Sequence, residues 1–414
     1  MHAVTCTVLL LCLAAASCEG AAANRRPHNA VAIRQVPHRP TIIRRGRRDP
    51  NEKVFNVLQF GAKPNGGKDN SLEIIRTWKA ACNWRGKARV LIPMGVFLTG
   101  PVIFSGPCSG PSPVTVQFLG NLKALNDPSS YPDDSWLLFE NVNGLIVTGS
   151  GTIDGQGASV WKYADGNGAF PISLKLNHVT NAIVRQIKSV NPQGFHMGVV
   201  LSQNVRILNV HLTAPADSPN TDGVHVSQSN LVKIVRSVIA TGDDCVGIIQ
   251  GSTDITIRKV TCGPGHGISI GSLGKYQNEK DVSGISVSNC TLRNTDNGLR
   301  IKTWGGSPPS RASNIHFQDI ILDNVKNPII IDQAYGSKSK PSRVKISDVS
   351  FLNFRGTTPS NVAVNLMCSS QAPCDRVQFS NINLRSFGGS KPLVSACSNT
   401  RPSYSGAQFP PACH

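Results

Sequence analysis

The sequence has few aromatic residues and few segments with helical periodicity. Phe, Trp and Tyr account for 6% of the 414 residues, whereas glycine alone occurs 38 times. Valine, isoleucine, asparagine and serine are also abundant, which disfavours long helices and favours short β-strands joined by turns. Apolar residues have convincing helical spacing only in Ser71–Cys82, which follows the good capping residues Asp69 and Asn70. We therefore expect an all-β protein with one N-terminal helix.

No apolar run is long enough to cross a bilayer, and the run at the N-terminus has the form of a secretion signal. Val8–Ala16 is short and apolar, and the small residues of Ser17–Ala23 follow it, where cleavage would fall. The region before it has His2 but no lysine or arginine, which departs from the usual signal pattern. We expect residues 1–23 to be a signal peptide and the mature chain to be secreted, with no membrane span.

The cysteines lack the paired spacing of zinc fingers, and a secreted chain favours disulfides over a metal. Three of the 12 cysteines precede residue 24, so nine remain in the mature chain. Because nine is an odd number, at least one thiol should be unpaired within the chain. We expect neither a metal nor a cofactor.

Acidic residues are scarce, since 24 Asp and Glu stand against 42 Lys and Arg, which gives a formal net charge of +18. Such a chain can bind nucleic acid or an acidic polysaccharide. The sequence contains no nucleic-acid-binding motif, so we expect no nucleic-acid partner and favour the polysaccharide. Positive charge is dense in Arg25–Arg48, and we expect residues 24–52 to form a basic disordered arm or a propeptide.

From about residue 180 onward the sequence repeats with a period of roughly 23 to 33 residues, which is typical of a solenoid. Apolar residues recur at the first, third, sixth and eighth positions of each copy. An imperfect copy starts at Val232, with Ser237 in the sixth place. The other copies are Val205, Ile207, Val210, Leu212; Ile255, Ile257, Val260, Cys262; Ile285, Val287, Cys290, Leu292; Ile315, Phe317, Ile320, Leu322; Val344, Ile346, Val349, Phe351; and Val377, Phe379, Ile382, Leu384.

Each copy predicts two short strands with a bend between them, and alternation by two places the repeated residues inward. Stacked copies would bury one apolar column, as in a parallel β-helix. We expect a single domain over residues 53–414, with the helix Ser71–Cys82 covering its open end. A propeller or a leucine-rich repeat would need sequence signatures that are missing. Cys290 falls at an inward position and is the candidate free thiol, whereas Asn289 points outward and begins a glycosylation sequon.

Four polar motifs lie in consecutive coils of this repeat. They are Asn220-Thr221-Asp222-Gly223, Gly242-Asp243-Asp244-Cys245, Gly265-His266-Gly267 and Arg300-Ile301-Lys302. Residues at equal offset in neighbouring coils lie about 5 Å apart, which is the spacing between strands. Asp243 follows Val232 by the same offset that His266 follows Ile255, so the acidic pair should stack on the histidine. We expect three carboxylates, one imidazole and two cations on one wall.

Each motif alone has a plainer explanation, because Asp, Asn and Gly are common in turns. Their coincidence favours a functional site, since adjacent carboxylates raise one another's pKa at a cost that stability does not require. Three aspartates could also bind Ca²⁺, but His266 and the two cations would compete with the metal. The cations suit an anionic substrate, to which Arg300 offers a planar fork and Lys302 a point charge.

These motifs resemble those of the plant polygalacturonases, a family of pectin-degrading glycoside hydrolases, over about Val54 to Cys413. The stretch Cys262–Ser272 (CGPGHGISIGS) is especially similar. The resemblance implies a right-handed parallel β-helix and an inverting hydrolase that cleaves α-1,4-D-galacturonosyl linkages in pectin or polygalacturonic acid. Gly263–Trp304 most resembles exo-acting, pollen-type members, which favours exo action.

The resemblance also implies roles for single residues. Asp243 would be the general acid, and Asp222 and Asp244 would together activate the attacking water. His266 would help to hold the acid's proton. Inverting enzymes keep acid and base roughly 6.5–9.5 Å apart, so that a water fits between them. The implied substrate-binding residues are Asn220, Arg300, Lys302 and Tyr335.

Disulfides carried over from the family would leave Cys290 free. They would pair Cys82 with Cys108, Cys245 with Cys262, Cys368 with Cys374 and Cys397 with Cys413. Two positions depart from many members of the family without touching the implied catalytic residues. Gly336 stands where many members have cysteine, and Gly247 where many have serine or alanine.

Several functions stay open at this point. The alternatives to an exo-acting enzyme are an endo-acting polygalacturonase, a rhamnogalacturonan hydrolase, a calcium-dependent pectate lyase and a catalytically idle wall protein that binds pectin. The complete set of acids argues against the idle protein. The leading expectation is a secreted, glycosylated monomer that acts on pectin in the plant cell wall.

Overall fold

The computed structural model describes residues 51–163, 170–336, 340–389 and 392–413. The expected signal peptide, residues 1–23, and nearly all of the expected basic arm, residues 24–52, lie outside these described residues. Short strands joined by turns make up most of the part that is described, as the scarcity of helical periodicity in the sequence predicted.

The strands form two sheets, of 22 and 11 strands, in which neighbouring coils pair in parallel. The larger sheet contains Glu52–Asn56, Asn65–Asp69, Lys87–Ile92, Val96–Thr99, Val114–Phe118, Asn121–Ala124, Asn143–Thr148, Thr152–Asp154, Thr180–Arg185, Lys188–Val190, Gln203–Leu208, His211–Thr213, Asn230–Val235, Val238–Ala240, Thr253–Arg258, Thr261–Cys262, Val282–Ser288, Thr291–Arg293, Ser310–Asp323, Val344–Thr358, Asp375–Ser386 and Ser403–Phe409. The smaller sheet contains Val102–Ser105, Ser135–Glu140, Ile172–Asn177, Met197–Val200, Val224–Ser227, Val246–Ile248, Ile268–Leu273, Asn297–Trp304, Asn327–Tyr335, Val362–Met367 and Val394–Ser398.

The expected helix is present with the expected bounds, Ser71–Cys82, and its apolar face joins the core through Ile74 and Trp78. The cap differs from the simplest expectation. Asn70 occupies the N-cap position but makes no capping bond, whereas Asp69 accepts a hydrogen bond from the backbone N–H of Ser71 at 2.9 Å. Short 3₁₀ helices in the described residues are Val57–Phe60, Pro128–Ser130, Gly157–Ser159 and Trp161–Tyr163.

The core is a set of apolar columns that run along the axis of the coil. Parallel register places residues of successive coils directly over one another, so each column repeats one position of the sequence pattern. Stacked rings continue one column at its C-terminal end, with centroids of Phe317 and Phe351 at 5.2 Å and of Phe351 and Phe379 at 4.9 Å. That column is Ile207, Ile234, Ile257, Val287, Phe317, Phe351 and Phe379. These features confirm the right-handed parallel β-helix.

One copy of the repeat was assigned in the wrong register. The pattern placed Val344 at the first position, but the structure pairs Ile315 with Val349 and Phe317 with Phe351, so this copy begins five residues later. The strand Val344–Thr358 alternates along most of its length, and two frames therefore satisfy much of the pattern. Gly356 then takes the last position, where a Cβ would lie 1.7 Å from the carbonyl oxygen of Leu322.

Four disulfides join the cysteine pairs that the resemblance implied. They are Cys82–Cys108, Cys245–Cys262, Cys368–Cys374 and Cys397–Cys413. Cys290 is free and fully buried, in agreement with its inward position in the repeat. Burial raises the pKa of its thiol to about 11. The neighbouring Asn289 is exposed.

No helix in the described part of the chain combines the length and the apolar character that a membrane crossing requires.

Candidate active site

Three of the polar motifs lie in the turns that lead into consecutive strands of the smaller sheet, and the fourth, Arg300-Ile301-Lys302, lies within the next strand, Asn297–Trp304. Register pairs Val224 with Val246 and Val246 with Ile268. Asp222 and Asp244 each precede their paired valine by two residues, and the histidine of the Gly-His-Gly motif has the same offset from Ile268. Parallel stacking therefore brings three polar side chains from three coils together.

Glycines hold the turn that presents His266. Gly265 and Gly267 have φ angles of +148° and +90°, in the region that other residues rarely adopt. A Cβ on Gly267 would also lie 2.0 Å from the carbonyl oxygen of Asn297 in the next coil. Close stacking of the coils thus requires glycine on at least one side of the histidine.

One cleft of about 690 Å³ collects every residue that the sequence analysis assigned to catalysis or substrate binding. The structure brings together side chains that are up to 115 residues apart in the sequence, from position 220 to position 335. These residues are Asn220, Asp222, Asp243, Asp244, His266, Arg300, Lys302 and Tyr335.

Asp243 forms a pair with His266. The Nδ1 atom of His266 lies 2.9 Å from Oδ1 of Asp243, and the same oxygen accepts a hydrogen bond from the backbone N–H of Asp244 at 2.7 Å. Burial opposes ionisation of Asp243, but the hydrogen bond and positive charge of His266 prevail and lower its pKa. The hydrogen bond to Asp243 in turn raises the pKa of His266. These shifts favour an ionised Asp243 beside a protonated His266, and both described hydrogen bonds leave Oδ2 of Asp243 for another contact.

Asp244 binds both cations of the Arg-Ile-Lys motif. Its Oδ1 accepts from Arg300 Nη2 at 2.7 Å and from Ser269 Oγ at 2.7 Å, and its Oδ2 accepts from Lys302 Nζ at 2.9 Å. Asp244 and Lys302 are 3% and 7% exposed, so this ion pair is buried. The cations expected to meet a substrate carboxylate thus have an internal carboxylate as partner. Tyr335 flanks them, with its ring centre 5.2 Å from Lys302 Nζ.

Asp222 is held by a histidine from its own strand. Oδ2 of Asp222 lies 2.9 Å from Nδ1 of His225, and the ring of Phe195 stacks on that imidazole at 4.6 Å between centroids. Burial, with smaller contributions from Asp243 and Asp244, raises the pKa of Asp222 to about 6 although the bond to His225 lowers it. From the sequence, adjacent carboxylates were expected to raise one another's pKa, without a choice of which acid would show it. The structure gives the raised pKa to Asp222 and the lowered one to Asp243.

Gly247 leaves space between two of the acids. A Cβ at this position would lie 3.1 Å from Oδ2 of Asp222, 3.3 Å from Nδ1 of His225 and 3.9 Å from Oδ2 of Asp244. The volume that serine or alanine would fill is therefore open toward both carboxylates.

A metal ion fits this cluster poorly. Ligand atoms of Asp243, Asp244 and His266 lie within 4.8 Å of one another. However, Asp244 already accepts three hydrogen bonds, two of them from the cations Arg300 and Lys302. These cations would repel a divalent ion, and the imidazole is engaged with Asp243.

Several residues at the site carry no motif in the sequence. His225 lines the cleft beside Asp222, and the buried Ser269 donates to Asp244 from below it. The loop after Leu273 adds Lys275, Tyr276 and Glu279 to the lining. Glu279 orders this loop by accepting from the backbone N–H of Gly274 at 2.7 Å and of Tyr276 at 2.9 Å. His225 and Ser269 occupy the outward column of the sheet that also contains Gly247 and Arg300. Because these four residues share one register position, the sequence repeat could have predicted that His225 and Ser269 lie beside the site.

Comparisons with known proteins identify the family of this chain. A family model described as glycosyl hydrolases family 28 matches residues 82–407. The chain is 50% identical to an exopolygalacturonase of Arabidopsis thaliana over 82% of this chain and 80% of that protein. It is 45% identical to an exopolygalacturonase of Platanus acerifolia over 86% of this chain and 97% of that protein.

Solved structures show the same fold. An endo-xylogalacturonan hydrolase of Aspergillus tubingensis superposes with a TM-score of 0.74 at 24% identity, covering 84% of this chain and 96% of that one. An exopolygalacturonase of Thermotoga maritima superposes with a TM-score of 0.72 at 20% identity, covering 86% and 92%.

Proposed function

This chain belongs to glycosyl hydrolases family 28, and from that premise we propose that it is an inverting, exo-acting polygalacturonase. Its substrate is the α-1,4-linked galacturonate of pectin. Exo action follows the two relatives at 50% and 45% identity, both of which are named exopolygalacturonases. One observation carries the proposal: three carboxylates, an imidazole and two cations face a single cleft.

Asp243 is the general acid in this proposal. Both of the described hydrogen bonds to its carboxylate fall on Oδ1, so Oδ2 is available to the leaving glycosidic oxygen. In the free protein the pKa of Asp243 is lowered and that of His266 is raised, which favours the proton on His266. A substrate carboxylate beside Lys302 would offset one cause of the low pKa of Asp243, the positive charge of that lysine. The higher pKa would favour protonation of Asp243 on Oδ2, the oxygen assigned to the leaving group.

Asp222 and Asp244 activate the attacking water. A carboxylate has about four lone-pair sites, and Asp244 uses three of them. Asp222 has one oxygen bonded to His225, and with its pKa near 6 it gains a proton more readily than an ordinary aspartate. The open volume at Gly247 lies between these two acids and suits the water that inversion requires.

Arg300 and Lys302 bind the carboxylate of the galacturonate ring beside the bond that is cut. A substrate carboxylate would share these cations with Asp244, and charge-assisted bonds of this kind are the strong ones. Tyr335 and Asn220 border the same space and would contact the sugar. A neutral sugar would leave both cations with their internal partner only.

Digestion of polygalacturonic acid tests the whole proposal. An exo-acting enzyme releases small uronates from the first minutes while viscosity falls slowly, whereas an endo-acting enzyme lowers viscosity before monomer appears. Proton NMR of the first product determines whether the anomeric configuration inverts. An unsaturated, ultraviolet-absorbing product would identify a lyase and refute the proposal. Absence of any new reducing ends would identify the idle binding protein.

We also propose that the protein is secreted into the plant cell wall as a monomer and glycosylated at Asn289. Support comes from the signal-like sequence of residues 1–23, the four disulfides and the exposure of Asn289. Purification from the wall fraction, followed by mass measurement with and without deglycosylation, tests all three statements.

A further inference from the structure

A second wall of the coil carries a concentration of cations. The strands Thr180–Arg185, Gln203–Leu208, Asn230–Val235 and Thr253–Arg258 lie side by side in the larger sheet. Six exposed cations stand on their outward faces and at the corners that follow them, and none lines the cleft. We call this surface the basic corner: Arg185, Arg206, Lys233, Arg236, Arg258 and Lys259.

Like charges are adjacent in this surface and little offsets them. Register places Arg206 directly beside Lys233, an arrangement that destabilises a sheet. Asp254 is the one acidic residue on these four strands, and it accepts a hydrogen bond from Asn230. Within the described part of the chain, the ion pairs involve other cations than these six.

Two of the cations also occupy an unfavourable backbone conformation. The corner position after each strand is left-handed throughout this part of the coil, and Arg236 and Lys259 adopt it with φ angles of 53° and 55°. Asparagine tolerates this conformation better than long side chains do. It stands at the equivalent corner of other coils at Asn209, Asn289, Asn353 and Asn381. Arg236 gains a local contact in return, because its Nε donates a hydrogen bond to Oδ1 of Asn209 in the preceding coil at 3.1 Å. No such bond is described for the side chain of Lys259, so stability alone would favour asparagine at that corner.

We propose that the basic corner is a second binding site for polygalacturonate, separate from the cleft. This inference rests on the proposed function and names where else the same polymer is held. Coils follow one another at the strand spacing of about 4.8 Å, so the corner presents cations repeatedly along the axis. Such a row matches a polymer with a carboxylate on every sugar better than a small anion. Holding the polymer here raises its concentration near the cleft.

Binding is measured with Asp243→Asn as the background, so that the polymer is not cut. The test variant changes four cations and keeps Arg236 and Lys259, because substitution at a left-handed position would disturb the backbone. A control variant removes the same charge from exposed cations of later coils. The test substitutions are Arg185→Gln, Arg206→Gln, Lys233→Gln and Arg258→Gln, and the control substitutions are Lys345→Gln, Arg355→Gln, Arg385→Gln and Arg401→Gln.

The test variant loses four exposed ion pairs with carboxylates of the polymer, each of which contributes little by itself. Together their loss should weaken binding to immobilised polygalacturonate about tenfold at low salt. The control variant should bind nearly as well as the background, and the difference should shrink as salt increases. Equal weakening of binding in both variants would show that only the net charge of the protein matters, which would overturn the proposal. Equal binding of fully methyl-esterified pectin, or tighter binding of a DNA duplex, would overturn the assignment to a polyuronate.

Activity separates this inference from the proposed function. With Asp243 intact, the test variant should cleave short oligogalacturonates at the wild-type rate and unfold at the same temperature, but lose rate on dilute polymer. Failure of the wild type to cleave either substrate would refute the proposed function and leave the binding result to stand alone. Slower cleavage of short oligomers by a folded test variant would show that the corner acts through the cleft, which contradicts a separate site.

Discussion

Replacing Lys302 by Met removes one positive charge from the cleft while keeping most of the side-chain length. In the structure, Lys302 Nζ lies 2.9 Å from Oδ2 of Asp244 and the residue is 7% exposed. Arg300 and Ser269 still bind Oδ1 of Asp244, so the aspartate keeps two of its three partners. The change therefore weakens an internal ion pair but does not leave the buried carboxylate of Asp244 without a partner.

The lost interaction sets the size of the effect. A hydrogen bond to a charged group contributes about 1.5–3 kcal/mol. Removing one partner of a buried ion pair costs about 3–5 kcal/mol when the other charge is left with no partner. Because Arg300 remains, we expect the free energy of unfolding to fall by about 1.5–3 kcal/mol. If the substrate carboxylate takes the same bond, kcat/KM on polygalacturonate should fall by about 10- to 150-fold.

A cycle of two substrates and two proteins separates charge recognition from general damage. Fully methyl-esterified pectin has no carboxylate to bind, so it should be a poor substrate for the wild type, and Lys302→Met should cost little more. Lys326→Met, which changes an exposed lysine outside the cleft, is the control and should leave both rates unchanged. Equal losses on the two substrates would refute the claim that Lys302 binds the substrate carboxylate.

Three further predictions test the acids and the thiol. Asp243→Asn should lower turnover at least about a hundredfold, as expected for loss of a general acid, while substrate binding persists; activity within tenfold of wild type in a reducing-sugar assay would contradict the role. Because Asp222, with a pKa of about 6, must be ionised to accept a proton, kcat/KM should rise with pH through this value. His225→Phe should move that rise to higher pH and His211→Phe, at an exposed site, should not; an unmoved profile would argue against Asp222 as base. Cys290 should react with a thiol reagent only after denaturation, and rapid labelling of the native protein would disprove its burial.

The fold could be predicted because its signal is local. Alternation by two and the recurrence of apolar positions fix which side chains face inward, and stacking follows from the repeat. The frame of the copy near Val344 was predicted wrongly because the frame from Val344 has four apolar residues, whereas the observed frame from Val349 ends on Gly356 and matches the pattern less well. Only pairing with Phe317 in the preceding coil decides between them.

The site was predictable where it depends on offset within a coil and unpredictable where side chains reach between coils. Arg300 pairs with Ser269, and Ser269 with Gly247, so its guanidinium must extend past a whole coil to bind Asp244. His225 lacked any motif, and its position against Asp222 depends on the ring of Phe195 from an earlier coil.

The charges of the cleft couple substrate binding to the proton that catalysis needs. In the free protein, ionised Asp222, Asp243 and Asp244 would balance protonated His266 and the two cations of the Arg-Ile-Lys motif. A galacturonate carboxylate adds a fourth negative charge to this cluster, and nearby negative charge raises the pKa of a carboxyl group. Binding should therefore take up a proton from solution or shift one from His266 to Asp243. A neutral, esterified sugar brings no such charge, and it would leave the acid ionised and unable to protonate the leaving oxygen. Binding of a charged substrate would thus both satisfy the specificity of the cluster and protonate its general acid.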